Sequence, residues 1–307
     1  MAIGTFRAML RTCAAILAVG MVTLTAPASI LVSDGFGDGD RDNNGLDAGA
    51  TSTNATDVGI PWLLTDGTSS VTFAATDDSA GIGGGNALAL FNTASNNRPA
   101  VGHFSRVTLA DGDAIVMRFD LRLVSSSTVA DRALRFGLYH DTNGDDGTVD
   151  HGSTGSVSVD DVGYNCRLDA GVETGTLMDV TRDDTATGTS ILQATATSLS
   201  ISSSAAANQL TADGLGHHYV LTLTRAGTGL QVSLQKDGNA AISGTDATPT
   251  GFVFDEAVLG VRSNSAMDTR WDNIQVEYIP GVPEPASFSL LGIGAIAAIA
   301  RRARRSH

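Results

Sequence analysis

The chain lacks most of the residues from which exported proteins build disulfides and hydrolases build active sites. It has two cysteines in 307 residues. Cys13 falls in an N-terminal apolar stretch and Cys166 stands alone after it, so no intrachain disulfide can form in the mature chain. Stability must then come from core burial or from metal, and Cys166 reads as a small buried hydrophobe. Glutamate is nearly absent: Glu173, Glu256 and Glu277 are the only ones between residues 29 and 281. There is no H-E-x-x-H zinc motif, no G-x-S-x-G nucleophile elbow and no P-loop. Gly81-Ile82-Gly83-Gly84-Gly85-Asn86 lacks the third glycine of a dinucleotide loop and reads as a turn. Aromatic residues make up 5% of the chain, so Trp62, Trp271 and Tyr164 are claimed by the core before they can serve as sugar-stacking platforms. The absence of an internal repeat excludes a solenoid or a propeller.

Basic residues are scarce where they would matter for nucleic acid. The formal charge is −14. Arg7, Arg11 and four C-terminal arginines lie at the ends, as does Glu284. The 19 basic and 33 acidic residues thus become 13 and 32 between residues 29 and 281, a charge near −19. Phosphate binding needs a basic face, so nucleic acid is excluded as a partner. An acidic surface suits solubility and divalent cations.

The two ends carry addresses. Arg7 and Arg11 precede an apolar stretch from Cys13 to Leu24, and Ala26-Pro27-Ala28 supplies small residues for cleavage after Ala28. This is a signal peptide over residues 1–28, with a helical apolar segment too short to span a bilayer, and it implies the Sec export machinery. At the other end Val282-Pro283-Glu284-Pro285 is followed by an apolar run from Ala286 to Ala300 and by Arg301-Arg302-Ala303-Arg304-Arg305. Fifteen helical residues span about 22 Å, short of the roughly 30 Å hydrocarbon core. Arg301, Arg302, Arg304 and Arg305 can snorkel and should stay cytoplasmic, which makes the run a short transmembrane helix with the body outside.

Motif, helix and arginine cluster in this order resemble the PEP-CTERM sorting signal of Gram-negative bacteria, over residues 282–307. The resemblance implies processing near Val282–Pro285 by an exosortase-type transpeptidase and an association with exopolysaccharide. It also implies tethering at the inner membrane before processing, and the cell surface or extracellular matrix afterwards.

Residues 29–281 read as one all-β domain, an antiparallel two-sheet β-sandwich of jelly-roll type. Ile115, Met117, Phe119, Leu121 and Leu123 alternate with Arg118, Asp120 and Arg122, the period-two mark of a strand with one buried face. Tyr219, Leu221 and Leu223 and then Leu230, Val232 and Leu234 alternate likewise. Ala226-Gly227-Thr228-Gly229 between them predicts a hairpin. Further strands are expected near 71–75, 87–92, 133–140, 162–168, 175–182 and 252–262, and a last one on Ile274, Val276 and Tyr278. Residues 183–214, rich in Ser, Thr and Ala, predict either an insertion or two edge strands.

The segments Asp34-Gly35-Phe36-Gly37-Asp38-Gly39-Asp40, Phe119-Asp120-Leu121-Arg122, Leu134-Arg135-Phe136-Gly137-Leu138-Tyr139 and Trp271-Asp272-Asn273-Ile274-Gln275-Val276 are similar to concanavalin-like (LamG-like) or galactose-binding-like jelly rolls. Many carbohydrate-binding modules share these folds. The E-x-D-x-x-E acid pair of concanavalin-like glycosidases is missing.

Asp40-Arg41-Asp42-Asn43-Asn44-Gly45 has oxygen ligands at alternate positions and a glycine at the sixth, the first half of a calcium loop. Thr51 at the twelfth position rules out an EF-hand, leaving a looser calcium loop or an acidic turn. In galactose-binding-like jelly rolls an Asp before the last strand helps bind a structural calcium, and Asp272 fits that place. The expected ligand set is Asp38, Asp40, Asp42, Asn44 and Asp272. Asp141-Thr142-Asn143-Gly144-Asp145-Asp146-Gly147 reads as a turn. His217-His218 opens a strand with its side chains on opposite faces, which argues against a shared metal. Three readings of function follow. The first is a non-enzymatic surface protein associated with extracellular polysaccharide and binding it weakly. The others are a polysaccharide hydrolase or lyase and a purely structural surface protein.

Overall fold

A computed structural model describes residues 27–281 apart from 38, 40, 42–58, 65–70, 79–81, 83–84, 93–96, 127–133, 143, 145–160, 171–175, 185–190, 193–196 and 263–266. The expected ligands Asp38, Asp40, Asp42 and Asn44, the motif Val282–Pro285, the signal peptide up to Ala26, the apolar run from Ala286 to Ala300 and the arginine cluster lie outside the described residues. Ala28–Ile279 forms one compact unit. Among the described residues no helix is long and apolar enough to cross a membrane.

In chain order the strands are β1 (Ser29–Asp34), β2 (Trp62–Leu64), β3 (Val71–Asp77), β4 (Asn86–Asn92), β5 (Arg98–Thr108), β6 (Ala114–Ser126), β7 (Leu134–His140) and β8 (Val162–Leu168). They continue as β9 (Met178–Asp183), β10 (Thr197–Ser203), β11 (His217–Ala226), β12 (Gly229–Lys236), β13 (Ile242–Asp246), β14 (Val253–Val261) and β15 (Met267–Ile279). One sheet runs β13-β12-β11-β6-β15-β4-β3, with β1 also paired to β15. The other runs β10-β9-β8-β7-β14-β5-β2. Every strand pairing is antiparallel. The two-sheet antiparallel sandwich expected from the alternation is therefore the fold.

The core lies between the sheets, where the alternating residues meet. Ile115, Met117, Phe119, Leu121 and Leu123 of β6 are all buried, as are Tyr219, Leu221 and Leu223 of β11. At its centre Phe119 stacks on Tyr219 (centroids 5.5 Å apart) and meets Phe136 of the opposite sheet edge-on at 4.7 Å and Trp271 at 5.2 Å. Each such side chain contributes about 1.5–3 kcal/mol of burial. Cys166 is buried in this core, and burial pushes its thiol pKa up, away from reactivity. The hairpin of β11 and β12 closes as expected: Ala226 pairs with Gly229, and Gly227 takes φ 62°, where glycine escapes the Cβ penalty.

The last strand departs from expectation. It begins at Met267, so Asp272 lies inside it and not before it. Met267, Thr269 and Trp271 point into the core, and so do Ile274 and Val276. The two sets are one residue out of phase. A register shift against β6 between Asp272 and Gln275, with Asn273 at φ 51°, absorbs the extra residue. This bulge hid the first half of the strand from period-two reading. It also divides the strand's partners on that edge: β4 pairs with Met267–Trp271 and β1 with Ile274–Tyr278.

Strands β1, β2, β5 and β13 were not foreseen. Ala100 and Val101 of β5 are both buried, and the strand carries Pro99 and Gly102, so alternation is lost. Among the described residues of 183–214 there is an edge strand, β10, and a 3-10 turn, Ala206–Asn208. At the Asp141 stretch the Asp141 carboxylate accepts the Gly144 N–H, a local turn. The antiparallel partners β7 and β8 are nevertheless joined through residues 141–161 and form no tight hairpin.

Candidate functional site

Asp34 and Asp272, the acids of this set that are described, lie where β1 leaves the sandwich. Asp34, the last residue of β1, accepts the Phe36 N–H at 3.0 Å and the Trp62 indole N–H at 3.0 Å. Both of its oxygens thus have protein donors, and it acts as a brace. Asp272 is 6% exposed, and its Oδ1 accepts the Asn273 N–H at 2.7 Å. A Cβ placed on Gly35 would lie 3.9 Å from that oxygen, so the acidic N-terminal segment leaves β1 beside Asp272. Burial pushes the Asp272 pKa up to about 6, the Asn273 N–H opposes that shift, and the Asp120 carboxylate adds to it. Among the described residues no group of three or more His, Cys, Asp or Glu side chains is arranged to hold a metal. Asp272 is the one expected ligand within them.

Asp120 of β6 links three strands. Its Oδ1 lies 2.8 Å from His218 Nδ1 of β11, and its Oδ2 accepts the Asn273 amide N–H at 2.8 Å. His217 is held separately, between Asp237 Oδ2 (2.7 Å) and Asp213 Oδ2 (3.3 Å), on the two sides of its ring. The two histidines have different partners, as alternation required.

The same outer face continues over β11, β12 and β13 as a shallow groove of about 200 Å³. Hydroxyls and one amide line it: Thr222, Thr224, Gln231, Ser233, Ser243 and Thr245. Such a surface offers many weak donors and acceptors without an aromatic anchor. Trp62, Trp271 and Tyr164 are core residues, buried with their polar atoms bonded to Asp34, Thr269 and Asp246.

Sequence reasoning missed the buried outer face of the other sheet. Tyr139, Asn165, Thr181, Asp183 and Glu256 all point away from the core, yet each is buried. Ile191 and Leu192 pack on Tyr139, Val101 and Val258 there. Asn165 donates to the Tyr139 hydroxyl at 2.8 Å, and that hydroxyl donates to the Ile191 carbonyl at 3.3 Å. Glu256, fully buried, lies 3.3 Å from His103 Nδ1. The available signal was Gly137 and Gly163, small residues opposite large ones, which mark a face that something else covers. Glu277 pairs with Arg118 at 2.6 Å, so neither described glutamate of the body faces an open cleft.

Residues 281–305 match the PEP-CTERM protein-sorting motif. The chain carries a PEP-CTERM tail. This motif implies processing by an exosortase, and export with membrane anchoring through the C-terminal region. No curated protein matches the PEP-CTERM chain. Among solved structures it is similar to a conserved carbohydrate esterase from the Shiga toxin-encoding bacteriophage phi24B, at 13% identity and TM-score 0.44, over 83% of this chain and 100% of that one. It is similar to the metal-free carbohydrate recognition domain of Emp46p, at 14% identity and TM-score 0.41, over 70% and 90%. It is also similar to lectin II from Ulex europaeus, at 8% identity and TM-score 0.40, over 83% and 98%.

Proposed function

We propose that the protein is an exported, surface-sorted and non-enzymatic component of an exopolysaccharide or extracellular matrix, with a sandwich that binds carbohydrate weakly. The sorting motif at residues 281–305 carries this reading. The hydroxyl-lined groove on β11–β13 supports a weak, polar contact with a glycan chain. The burial of Glu256 and the pairing of Glu277 favour binding over glycosidic cleavage. Within this reading residues 1–28 are the signal peptide, 29–281 the displayed domain and 282–307 the tail. Val282–Pro285 is the processing motif, and Arg301, Arg302, Arg304 and Arg305 hold the cytoplasmic end. The path of β1 past Asp272 supports a structural calcium shared by Asp272 with Asp38, Asp40, Asp42 or Asn44.

Deleting residues 282–307 should release the body in soluble form, and neutralising the four arginines should impair retention. The full chain should retain the host's own exopolysaccharide in a pull-down, and the Thr222→Val/Gln231→Val variant should retain less. Identical fractionation of truncated and full chains, or no glycan retained with and without calcium, would overturn the proposal.

A further inference from the structure

Two described arginines are buried, and they are treated differently. Arg182 donates to Asp246 at 2.7 Å, to Asp184 at 2.9 Å and to the Thr248 carbonyl at 2.5 Å. Arg135 of β7 is 3% exposed, and its Nε has no hydrogen-bond partner. It forms no ion pair with any described residue, in a body whose charge is near −19. An uncompensated buried charge is among the most costly arrangements a fold can contain.

The register of the sheet explains how the neighbours are placed. Across the outer face, Arg135 lies opposite Arg167 of β8 on one side and Gly260 of β14 on the other. Arg167 already has its carboxylate: it clasps Asp179 of β9 with both nitrogens, Nε to Oδ1 at 2.6 Å. Gly260 contributes no side chain beside Arg135. One residue beyond the end of β14, Arg262 adds a further cation. Burial, Arg262 and Arg167, in that order, push the Arg135 pKa down to about 9, against smaller upward pulls from Tyr139 and from the Asp179 carboxylate that Arg167 clasps.

We propose that Arg135, with Arg167 and Arg262 beside it, forms an anion site that takes one oxyanion: a carboxylate, sulfate or phosphate group. The guanidinium fork matches two oxygens of such a group, and the three guanidiniums have one carboxylate, Asp179, among the described residues acting on them, already clasped by Arg167. The inference concerns the sheet opposite the hydroxyl-lined groove and stands whether or not that groove binds glycan. An acidic group on a polysaccharide and a free inorganic ion offer the same chemistry, and the test separates them.

The full chain, purified in a mild nonionic detergent, is titrated calorimetrically with sodium sulfate, sodium phosphate and a trigalacturonate, with sodium chloride at matched ionic strength as control. Binding of an oxyanion but not chloride is expected. Arg135→Met should abolish it while leaving the ligand-free melting temperature unchanged or higher. Arg135→Lys, which keeps the charge and loses the fork, should weaken binding by roughly tenfold. Asp179→Asn, which frees Arg167, should tighten it. If Arg135→Met does not fold, the Lys and Asn variants carry the same decision. Tighter binding of the uronate assigns the site to a polysaccharide, and equal or tighter binding of sulfate or phosphate to a free ion. No oxyanion bound by the wild-type chain, or binding indifferent to Arg135 and Asp179, would overturn the proposal.

Discussion

Asp34, at the end of the first strand, holds the indole N–H of Trp62 across the sandwich at 3.0 Å. Asp34 belongs to one sheet and Trp62 to the other, so this buried bond ties the two sheets by a polar contact as well as by apolar packing. Asp34→Ala strands a buried donor and should cost about 2 kcal/mol or more. Trp62→Phe in that background should cost less than it does alone. Urea unfolding of the four proteins of the cycle measures the coupling, and strict additivity would refute it.

Asp272 sets a pH dependence with a definite sign. Its folded pKa of about 6 exceeds the ordinary 3.8, so the folded state binds more protons than the unfolded state between these values. Stability should fall as pH rises from about 4 to about 6. Asp272→Asn should therefore stabilise the chain at pH 7 and change little at pH 4, in thermal melts without calcium.

Millimolar calcium should reverse that penalty in the wild type by supplying the missing positive charge. A hundredfold excess over Kd adds about 2.7 kcal/mol. Melting should rise with calcium and fall with chelator, and Asp272→Ala should remove the difference. Melting temperatures indifferent to calcium at fixed ionic strength would rule out the shared site.

The His217 clamp predicts behaviour at the acid end. At Asp213 and Asp237 burial tends to raise the carboxyl pKa. Hydrogen bonds outweigh it: Leu215 N–H, Thr211 and His217 at Asp213, and His217 and the His218 N–H at Asp237. Both pKa values are lowered, so these groups contribute stability above their unfolded pKa that is lost as pH falls through the folded values. His217→Gln should raise both carboxyl pKa values in an NMR titration and move acid unfolding to higher pH.

Gly137 tests the buried outer face. A Cβ there would come within 2.0 Å of the Tyr164 carbonyl oxygen, a backbone atom that cannot turn aside. Gly137→Ala should cost about 1–3 kcal/mol, as overpacking does, and should lower the denaturant midpoint. A wild-type midpoint would show that β8 can move away.

The sorting tail was legible because its parts are contiguous: a Pro-Glu-Pro motif, an apolar run and an arginine cluster need no folded context to be recognised. The strands with one wet face, such as β6, β11 and β12, were legible for the same local reason, since alternation records which side meets water. The first half of strand β5, buried on both faces over Pro99–Gly102, and the first half of β15, out of phase across the bulge at Asp272–Gln275, left no such record. Nor did Arg135. The sequence shows an arginine alternating with Leu134 and Phe136, which reads as a solvated outer face. Only the strand order that places Arg167 on one side and Gly260 on the other decides that this charge is buried with no acid directly across from it. Tertiary pairing assigns those neighbours, and electrostatic cost depends on neighbours, so the charge state of the site is a property of the assembled sheet and not of the strand.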